Sequence, residues 1–432
     1  MNTHRIVIVG GGAGGLELAT LLGNKAGKRG NADITLVDAN MTHLWKPRLH
    51  EVAAGVLNAD VDELNYVAHA QRHHFKFIMG RMSGLDRQQK HLILEPHVEG
   101  DEQILPQRVL PYDTLVIAIG SNTNDFGTTG AAEHCIFLDK RAAAEAFHRK
   151  FLNEYLKASQ DPSAEPKHCN IAIVGAGATG VELAAELNHS AHELVEYGFD
   201  QIKPENLTIT IIEAANRVLP VLSEKASAAI LRQLKELNIE VLTNEMVTEI
   251  TADGLHTKSG KFVPAFLKVW SAGIKAPEFL NGIAGLESNR INQLVVSDTL
   301  QTTRDENIFA FGDCAQCPRQ DAETPVPPRA QSAHQQALLL SKSLRRRMAG
   351  KPLLKFVYQD KGSLISLSRN GSVGNIMGNL SKDFTFEGKL ARVMYITLYR
   401  MHQFTLHGIF RTLLLILRDR INRRASPTLK LH

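Results

Sequence analysis

The sequence predicts an α/β protein with two dinucleotide-binding units in tandem, followed by a basic amphipathic C-terminal region. Three observations predict it. A glycine fingerprint occurs twice, beginning at Gly10 and again at Gly175. Each fingerprint leads to an apolar strand that ends in an acid. Basic charge is concentrated after residue 388.

The first fingerprint reads Arg5-Ile-Val-Ile-Val-Gly10-Gly-Gly12-Ala13-Gly14-Gly15-Leu-Glu-Leu-Ala. The second reads Asn170-Ile-Ala-Ile-Val-Gly175-Ala-Gly177-Ala-Thr-Gly180-Val-Glu182-Leu-Ala. Each opens with a β-branched apolar run, the pattern of a buried strand, and continues into a helical pattern. In G-x-G-x-x-G the first glycine permits a tight turn. The second lets a pyrophosphate approach the backbone, and the third lets helix and strand pack closely. The helix N-terminus then faces the phosphate. A single such motif would be weak, but here both have the right flanks. Ile34-Thr-Leu-Val-Asp38 and Thr208-Ile-Thr-Ile-Ile-Glu213 supply the acids. An acid there accepts hydrogen bonds from a ribose 2′-hydroxyl, and Glu213 would repel a 2′-phosphate, so NADH is favoured over NADPH. Two Rossmann-like sites in one chain suggest one flavin and one nicotinamide nucleotide.

At 432 residues the chain should form two or three domains. Its 44% apolar and 22% charged residues are those of a folded soluble protein. The formal charge of +4 hides an asymmetry. From Lys389 to His432 there are nine Lys/Arg and one acid, Asp419, a net +8, which leaves −4 on the rest. The basic tail implies an anionic partner. The N-terminus enters a strand at Arg5 with no signal-peptide pattern before it, and no run nears the ~18 apolar residues needed to span a bilayer. We therefore expect a protein on the cytoplasmic face of the cell membrane, bound peripherally.

Four cysteines, Cys135, Cys169, Cys314 and Cys317, are expected to be incidental thiols. Cys314-Ala-Gln-Cys317 has C-x-x-C spacing, but no second pair completes a zinc site, so no metal is expected. The first fingerprint helix also lacks the cysteine pair that disulfide reductases commonly carry there.

The expected organisation is 1–165 for the first part of the flavin unit and 166–288 for the NADH unit. Residues 289–345 return to the flavin unit, and 346–432 form the C-terminal region. The Pro/Ser-rich segment Asp161–Pro166 marks the first crossing. A hairpin is expected near Gly100-Asp101, a buried strand over 114–119, a helix over 139–159, and a helix over 223–237 with Ser223 as N-cap. Val269-Trp-Ser-Ala272-Gly273 closes the second unit as Val116-Ile-Ala-Ile-Gly120 closes the first. Later, Asn307-Ile-Phe-Ala-Phe-Gly312-Asp313 reads as a strand that aims a carboxylate at ligand hydroxyls.

Fingerprint, acid, second fingerprint and Gly-Asp strand resemble the flavoprotein pyridine-nucleotide reductases. Three segments narrow this. They are Leu44-Trp-Lys46-Pro-Arg-Leu-His-Glu-Val-Ala, Pro327-Pro-Arg-Ala330-Gln331-Ser-Ala-His334-Gln335-Gln336, and the basic tail. With these the whole chain is similar to type II NADH:quinone oxidoreductases, single-subunit FAD enzymes that pump no protons. The resemblance implies hydride transfer from nicotinamide C4 to flavin N5, then two-electron reduction of a membrane quinone. It places non-covalent FAD on Gly10, Gly12, Ala13, Gly14, Gly15, Asp38, Lys46, Gly120, Gly312 and Asp313. It places NADH on Gly175, Gly177, Gly180, Glu182, Glu213, Ala272 and Gly273. Ala330, Gln331, His334 and Gln335 border the quinone. Lys46, Glu182 and Gln331 are the residues expected to act in the chemistry. An amide such as Gln331 can orient a quinone oxygen but cannot be the proton source.

Residues 388–424 interleave arginines with aliphatic and aromatic residues at helical spacing. The longest uninterrupted apolar run is only Leu413–Leu417. That suits a helix lying in the membrane interface on anionic headgroups, the alternative being a helix packed on the protein. Nucleic acid is not expected, because a phosphate-tracking surface needs mainly charge. Whether the tail also joins two copies into a homodimer is left open. Competing readings are a sulfide:quinone or ferredoxin-linked flavoprotein, and an NADH-binding redox sensor resembling apoptosis-inducing factors.

Overall fold

The computed structural model describes residues 3–159, 169–199, 202–367, 372–378, 381–387, 389–425 and 429–431. The first sheet has six strands. In spatial order they are Gln301–Thr302, Asp305–Ala310, Thr114–Ile117, His4–Val9, Ala32–Asp38 and Lys76–Met79. All pair in parallel except Gln301–Thr302, which is antiparallel. Helix α1 (Ala13–Leu22) follows the first fingerprint, and its apolar residues are buried against this sheet. Parallel strands align their carboxyl ends, and those ends are where ligands bind in such sheets. Gly10, Asp38 and Gly312-Asp313 therefore emerge at one edge, although they are far apart in sequence.

Helix α2 (Arg141–Ser159) leads to the second sheet, ordered Ile136–Phe137, Leu267–Trp270, Cys169–Val174, Leu207–Ile212 and Ile239–Leu242, all parallel. Helix α3 (Ala178–Glu196) and helix α4 (Glu224–Glu236) pack on it. Ser223 caps α4 through its hydroxyl, which accepts from the Ala226 amide. The two sheets repeat each other in detail. Gly10 N donates to Val37 O and Gly175 N to Ile212 O, both at 2.8 Å. Val9 pairs Val37 and Ile117, as Val174 pairs Ile212 and Trp270.

One boundary differs from the sequence expectation. Ile136–Phe137 pairs with the second sheet, and Phe147, Phe151 and Tyr155 of α2 are buried in that sheet's core. The passage between sheets therefore falls before residue 136, not at 165/166. The Pro/Ser-rich segment over 161–166 lies outside the described residues. A two-residue strand carries no period from which a sequence could show it. The hairpin is His97–Glu99 with Glu102–Leu105, and the buried strand is Thr114–Ile117.

A short ribbon joins the units. Asn122–Thr123, just after Gly120, pairs antiparallel with Ile274–Lys275, just after Gly273. Equivalent exit segments of the two halves thus bond to one another.

The C-terminal part starts with helix α5 (Ala330–Met348), packed along α1. Helix α6 (Lys389–Ala425) is broken at Gly408, whose φ of 73° leaves the helical region. Its His402, Gln403, Leu406 and Thr412 are buried on the protein. Ile409, Phe410, Leu413, Leu414, Leu417 and Ile421 are exposed. The helix therefore both packs on the protein and presents an apolar face. No helix among the described residues is long and apolar enough to cross a membrane.

Candidate functional site

Both fingerprint helices begin without a side-chain cap and without an acid in the first turn. No side chain therefore caps their first backbone N–H groups, which stay oriented toward an incoming anion. A Cβ on Gly12 or Gly177 would meet nothing within 4 Å. An anion can approach there directly. The outer glycines are constrained by the fold itself. A Cβ on Gly15 would lie 1.9 Å from Gly10 O, and one on Gly180 would lie 2.1 Å from Gly175 O. These residues fit a pyrophosphate at each site.

The acids also hold the loops. Asp38 Oδ2 accepts from Gly11 N at 2.7 Å, and Oδ1 accepts from the Asn40 amide at 2.8 Å. Glu213 Oε2 accepts from Ala176 N at 2.7 Å, and Oε1 accepts from Ala215 N at 2.8 Å. Burial pushes the Asp38 carboxyl up, against the hydrogen bonds from Asn40 and Gly11. Tyr66 adds a bond to Gly11 O at 2.7 Å, a support that nothing in the fingerprint itself announces.

At the first sheet's edge, Asp313 Oδ2 accepts from the Ser121 hydroxyl at 2.9 Å, and Lys46 Nζ donates to Ser121 O at 2.7 Å. Lys46 also pairs with Asp139 at 3.1 Å. Burial pushes the Asp313 carboxyl up, while the Ser121 bond and the Lys46 charge oppose it. Gly120 and Gly312 take φ of 73° and 74°. Gln336 Oε1 accepts from Gly312 N at 2.9 Å, so α5 fixes this turn. Lys46, Gly120, Gly312 and Asp313 thus meet in one place, a donor–acceptor set beside an edge where a flavin's polar atoms fit. Ala272 O accepts from Trp270 Nε1 at 3.0 Å, and Gly273 sits against the Phe126 ring.

The quinone candidates on α5 are engaged with the protein. Gln331 Nε2 donates to Gly362 O at 3.0 Å, and its Oε1 accepts from Lys361 N at 3.2 Å. Gln335 clamps Gln359 through both amide atoms. Ala330 opens the helix beside them. His334 turns toward α1, where its Nδ1 meets Glu17 Oε2 at 2.6 Å.

Glu182, on α3, is buried. Its Oε1 accepts from Ser366 N at 3.0 Å, and its Oε2 lies 3.6 Å from His50 Nδ1. Burial pushes this carboxyl well above its ordinary range, and the Ser366 bond offsets only part of that. Glu17, two residues after the third glycine of the first fingerprint as Glu182 is after that of the second, escaped the sequence reading. Its position in the repeated motif was the available signal.

All four cysteines are buried free thiols. Burial pushes Cys135, Cys169, Cys314 and Cys317 each up to about 12. No group of three His, Cys, Asp or Glu suited to a metal ion occurs among the described residues.

Residues 4–337 match the family model described as pyridine nucleotide-disulphide oxidoreductase. The type II NADH:quinone oxidoreductase of Haemophilus influenzae is 48% identical over 99% of this chain and 99% of its own length. Among solved structures, NDH2 from Plasmodium falciparum in complex with NADH superposes with a TM-score of 0.83 at 20% identity, covering 99% of this chain and 100% of that one. The sulfide:quinone oxidoreductase from Aquifex aeolicus shares the fold with a TM-score of 0.72 at 17% identity, over 94% and 92% of the two chains. The chain belongs to the pyridine nucleotide-disulphide oxidoreductase family and, within it, to the type II NADH:quinone oxidoreductases.

Proposed function

We propose that the protein takes a hydride from NADH and passes the electrons through non-covalent FAD to a membrane quinone, without pumping protons. One observation carries this reading: two open, uncapped helix N-termini of matching geometry in one chain, each topped by an acid. The flavin supplies the two-electron chemistry between donor and acceptor when bound. The protein's part is position and polarity. Gly10 to Gly15 and Asp38 hold the dinucleotide end at the first sheet. Lys46, Gly120, Gly312 and Asp313 hold the redox end. Gly175, Gly177, Gly180 and Glu213 hold NADH, with Ala272 and Gly273 toward the nicotinamide. Glu182 links the NADH unit to the C-terminal region through Ser366. Ala330 and Gln331 border the quinone, with His334 and Gln335 one turn on. Bringing donor and acceptor rings within near-attack range is the main rate contribution the fold makes.

The exposed apolar and arginine-bearing face of α6 suits an anionic membrane surface and supports peripheral attachment, which we assign to the cytoplasmic face of the cell membrane. A homodimer through the same region is compatible with this. The sulfide-oxidising alternative needs reactive thiolates, and buried thiols pushed up to about 12 are poor ones.

The test is NADH oxidation by purified protein, against NADPH, with and without a short-chain ubiquinone. Fast quinone-dependent loss of NADH, with little from NADPH, is the expected result. A yellow protein that NADH reduces but quinone does not reoxidise would favour the sensor or ferredoxin-linked readings. Stopped flow on Gln331→Ala should find quinone reduction impaired more than flavin reduction. Truncation after Glu387 should release the protein from anionic vesicles, and retained sedimentation would remove the membrane assignment for α6.

A further inference from the structure

Glu17 is a carboxylate enclosed by histidines. It is 1% exposed, inside α1. His334 Nδ1 of α5 meets its Oε2 at 2.6 Å, and His402 Nδ1 of α6 meets its Oε1 at 2.7 Å. His402 Nε2 lies 3.2 Å from His43 Nε2, and the Trp45 ring stacks on His402 at 14°. Burial pushes the Glu17 carboxyl up, but the bonds to the two histidines outweigh that and hold it below the ordinary range. Burial and the neighbouring His402 push His43 down to about 3, so that ring is neutral. A second histidine pair, His69 and His407, flanks the cluster.

The hydrogen-bond inventory limits what this unit can be. Each oxygen of Glu17 takes an N–H from a different ring. His43 and His402 share one bond between their Nε2 atoms, its direction set by the tautomers, and the His43 ring also bonds to the Gly11 backbone. His334 keeps its Nε2 for another partner. With His334 doubly protonated, the Glu17 unit is neutral overall. With His334 singly protonated, both oxygens of Glu17 still accept an N–H. One proton can therefore leave without orphaning a buried group, which is the usual cost of moving charge in an interior. Side-chain exposure decides the outlet: 16% for His334 against 6% for His402. His334 is also one turn from Ala330 and Gln331, and Ala333 beside it lies 3.6 Å from where a Gly312 Cβ would be.

We propose that His334, charged against Glu17, is the acid that protonates the quinone, with Glu17, His402 and His43 as its positioning residues. The proposal rests on the quinone reading above. The balance is NADH + H⁺ + quinone giving NAD⁺ + hydroquinone. NADH supplies two electrons and one proton as hydride, so one further proton must come from elsewhere. The His334 Nε2–H bond breaks, an O–H bond of the hydroquinone forms, and His334 regains a proton from water at its exposed edge. The C-terminal helix, through His402, completes the acid.

The experiment compares intact enzyme with Glu17→Gln, using a short-chain ubiquinone and ferricyanide, an acceptor that takes electrons but no protons. The quinone rate should fall roughly a hundredfold, the lower range for a positioned proton donor, while ferricyanide turnover and flavin reduction by NADH stay within about twofold. Glu17→Asp should restore part of the quinone rate. The reduced-minus-oxidised infrared spectrum should carry imidazole ring bands that are lost in Glu17→Gln. Equal loss with both acceptors, no loss with either, or unchanged infrared bands would overturn the proposal. If Glu17→Gln does not fold, His334→Asn, which keeps a donor to Glu17 but has no proton to give, carries the same test of quinone against ferricyanide. A parent enzyme that fails with quinone would overturn the functional reading instead, and the infrared bands would still decide whether this unit changes protonation on reduction.

Discussion

Glu17 and Glu182 occupy the same place in the two halves, the second residue after the last glycine of each fingerprint, yet they are opposite kinds of acid. Glu17 has an imidazole on each oxygen and is held below its ordinary range. Glu182 has one backbone N–H, a neutralised histidine nearby and other acids around it, and burial pushes it far up. The turns leading to them match, with φ of 101° at Gly10 and 103° at Gly175. A repeated fold therefore does not repeat its electrostatics. The difference comes from what the later chain lays on each helix: two histidines on α1, a backbone amide on α3.

The comparison can be broken most severely at its shared glycines. Gly15→Ala and Gly180→Ala each drive a Cβ into a carbonyl oxygen, at 1.9 and 2.1 Å. Gly15→Ala should purify colourless, with flavin lost. Gly180→Ala should stay yellow but resist bleaching by NADH under anaerobic conditions. Normal bleaching of Gly180→Ala would mean that the second fingerprint does not hold the nucleotide.

The acids give the next largest effect. Glu17→Gln removes one member of a buried charged set and should cost about 3 kcal/mol in chemical denaturation at neutral pH. Glu182→Gln mimics the protonated form that burial already favours and should cost little. The pH dependence has opposite signs. The Glu17 contribution is present above the ordinary glutamate range and is lost as pH falls through its lowered value. The Glu182 contribution is full below the ordinary range and is lost as pH rises toward its raised value, so Glu182→Gln should gain on the parent in alkali. Parallel pH curves for the two variants would erase the distinction.

The smallest effect concerns specificity. Glu213→Gln removes the charge and leaves an acceptor for only one of Ala176 N and Ala215 N. The preference for NADH over NADPH should fall roughly tenfold, about 1.4 kcal/mol, measured as the ratio of kcat/KM values. Asp38→Asn should leave that ratio unchanged and weaken flavin retention.

Legibility followed sequence distance. The fingerprints, their acids and the Ser223 cap depend on residues within a few positions of each other, so pattern alone exposes them. The Glu17 unit depends on partners 317 and 385 residues away, and no local period encodes that. The Ile136–Phe137 strand is too short to have a period, and its place is set by pairing with Val269–Trp270. The engagement of Gln331 with Lys361 and Gly362 likewise depends on a loop arriving from 30 residues on. In the tail, amphipathic spacing runs through Gly408 without a gap, and only the glycine itself marks the break.

The placement of Ser366 and His402 bears on how the chain is made. Synthesis runs from the N-terminus, and early units fold before later ones appear. Both nucleotide-binding units leave the ribosome before the residues that finish their buried acids. Until then Glu17 lacks its second histidine and Glu182 its amide. The face bearing Ile409, Phe410 and Leu413 is translated later still. A nascent chain therefore gains this exposed apolar face only after both nucleotide-binding units have been synthesised.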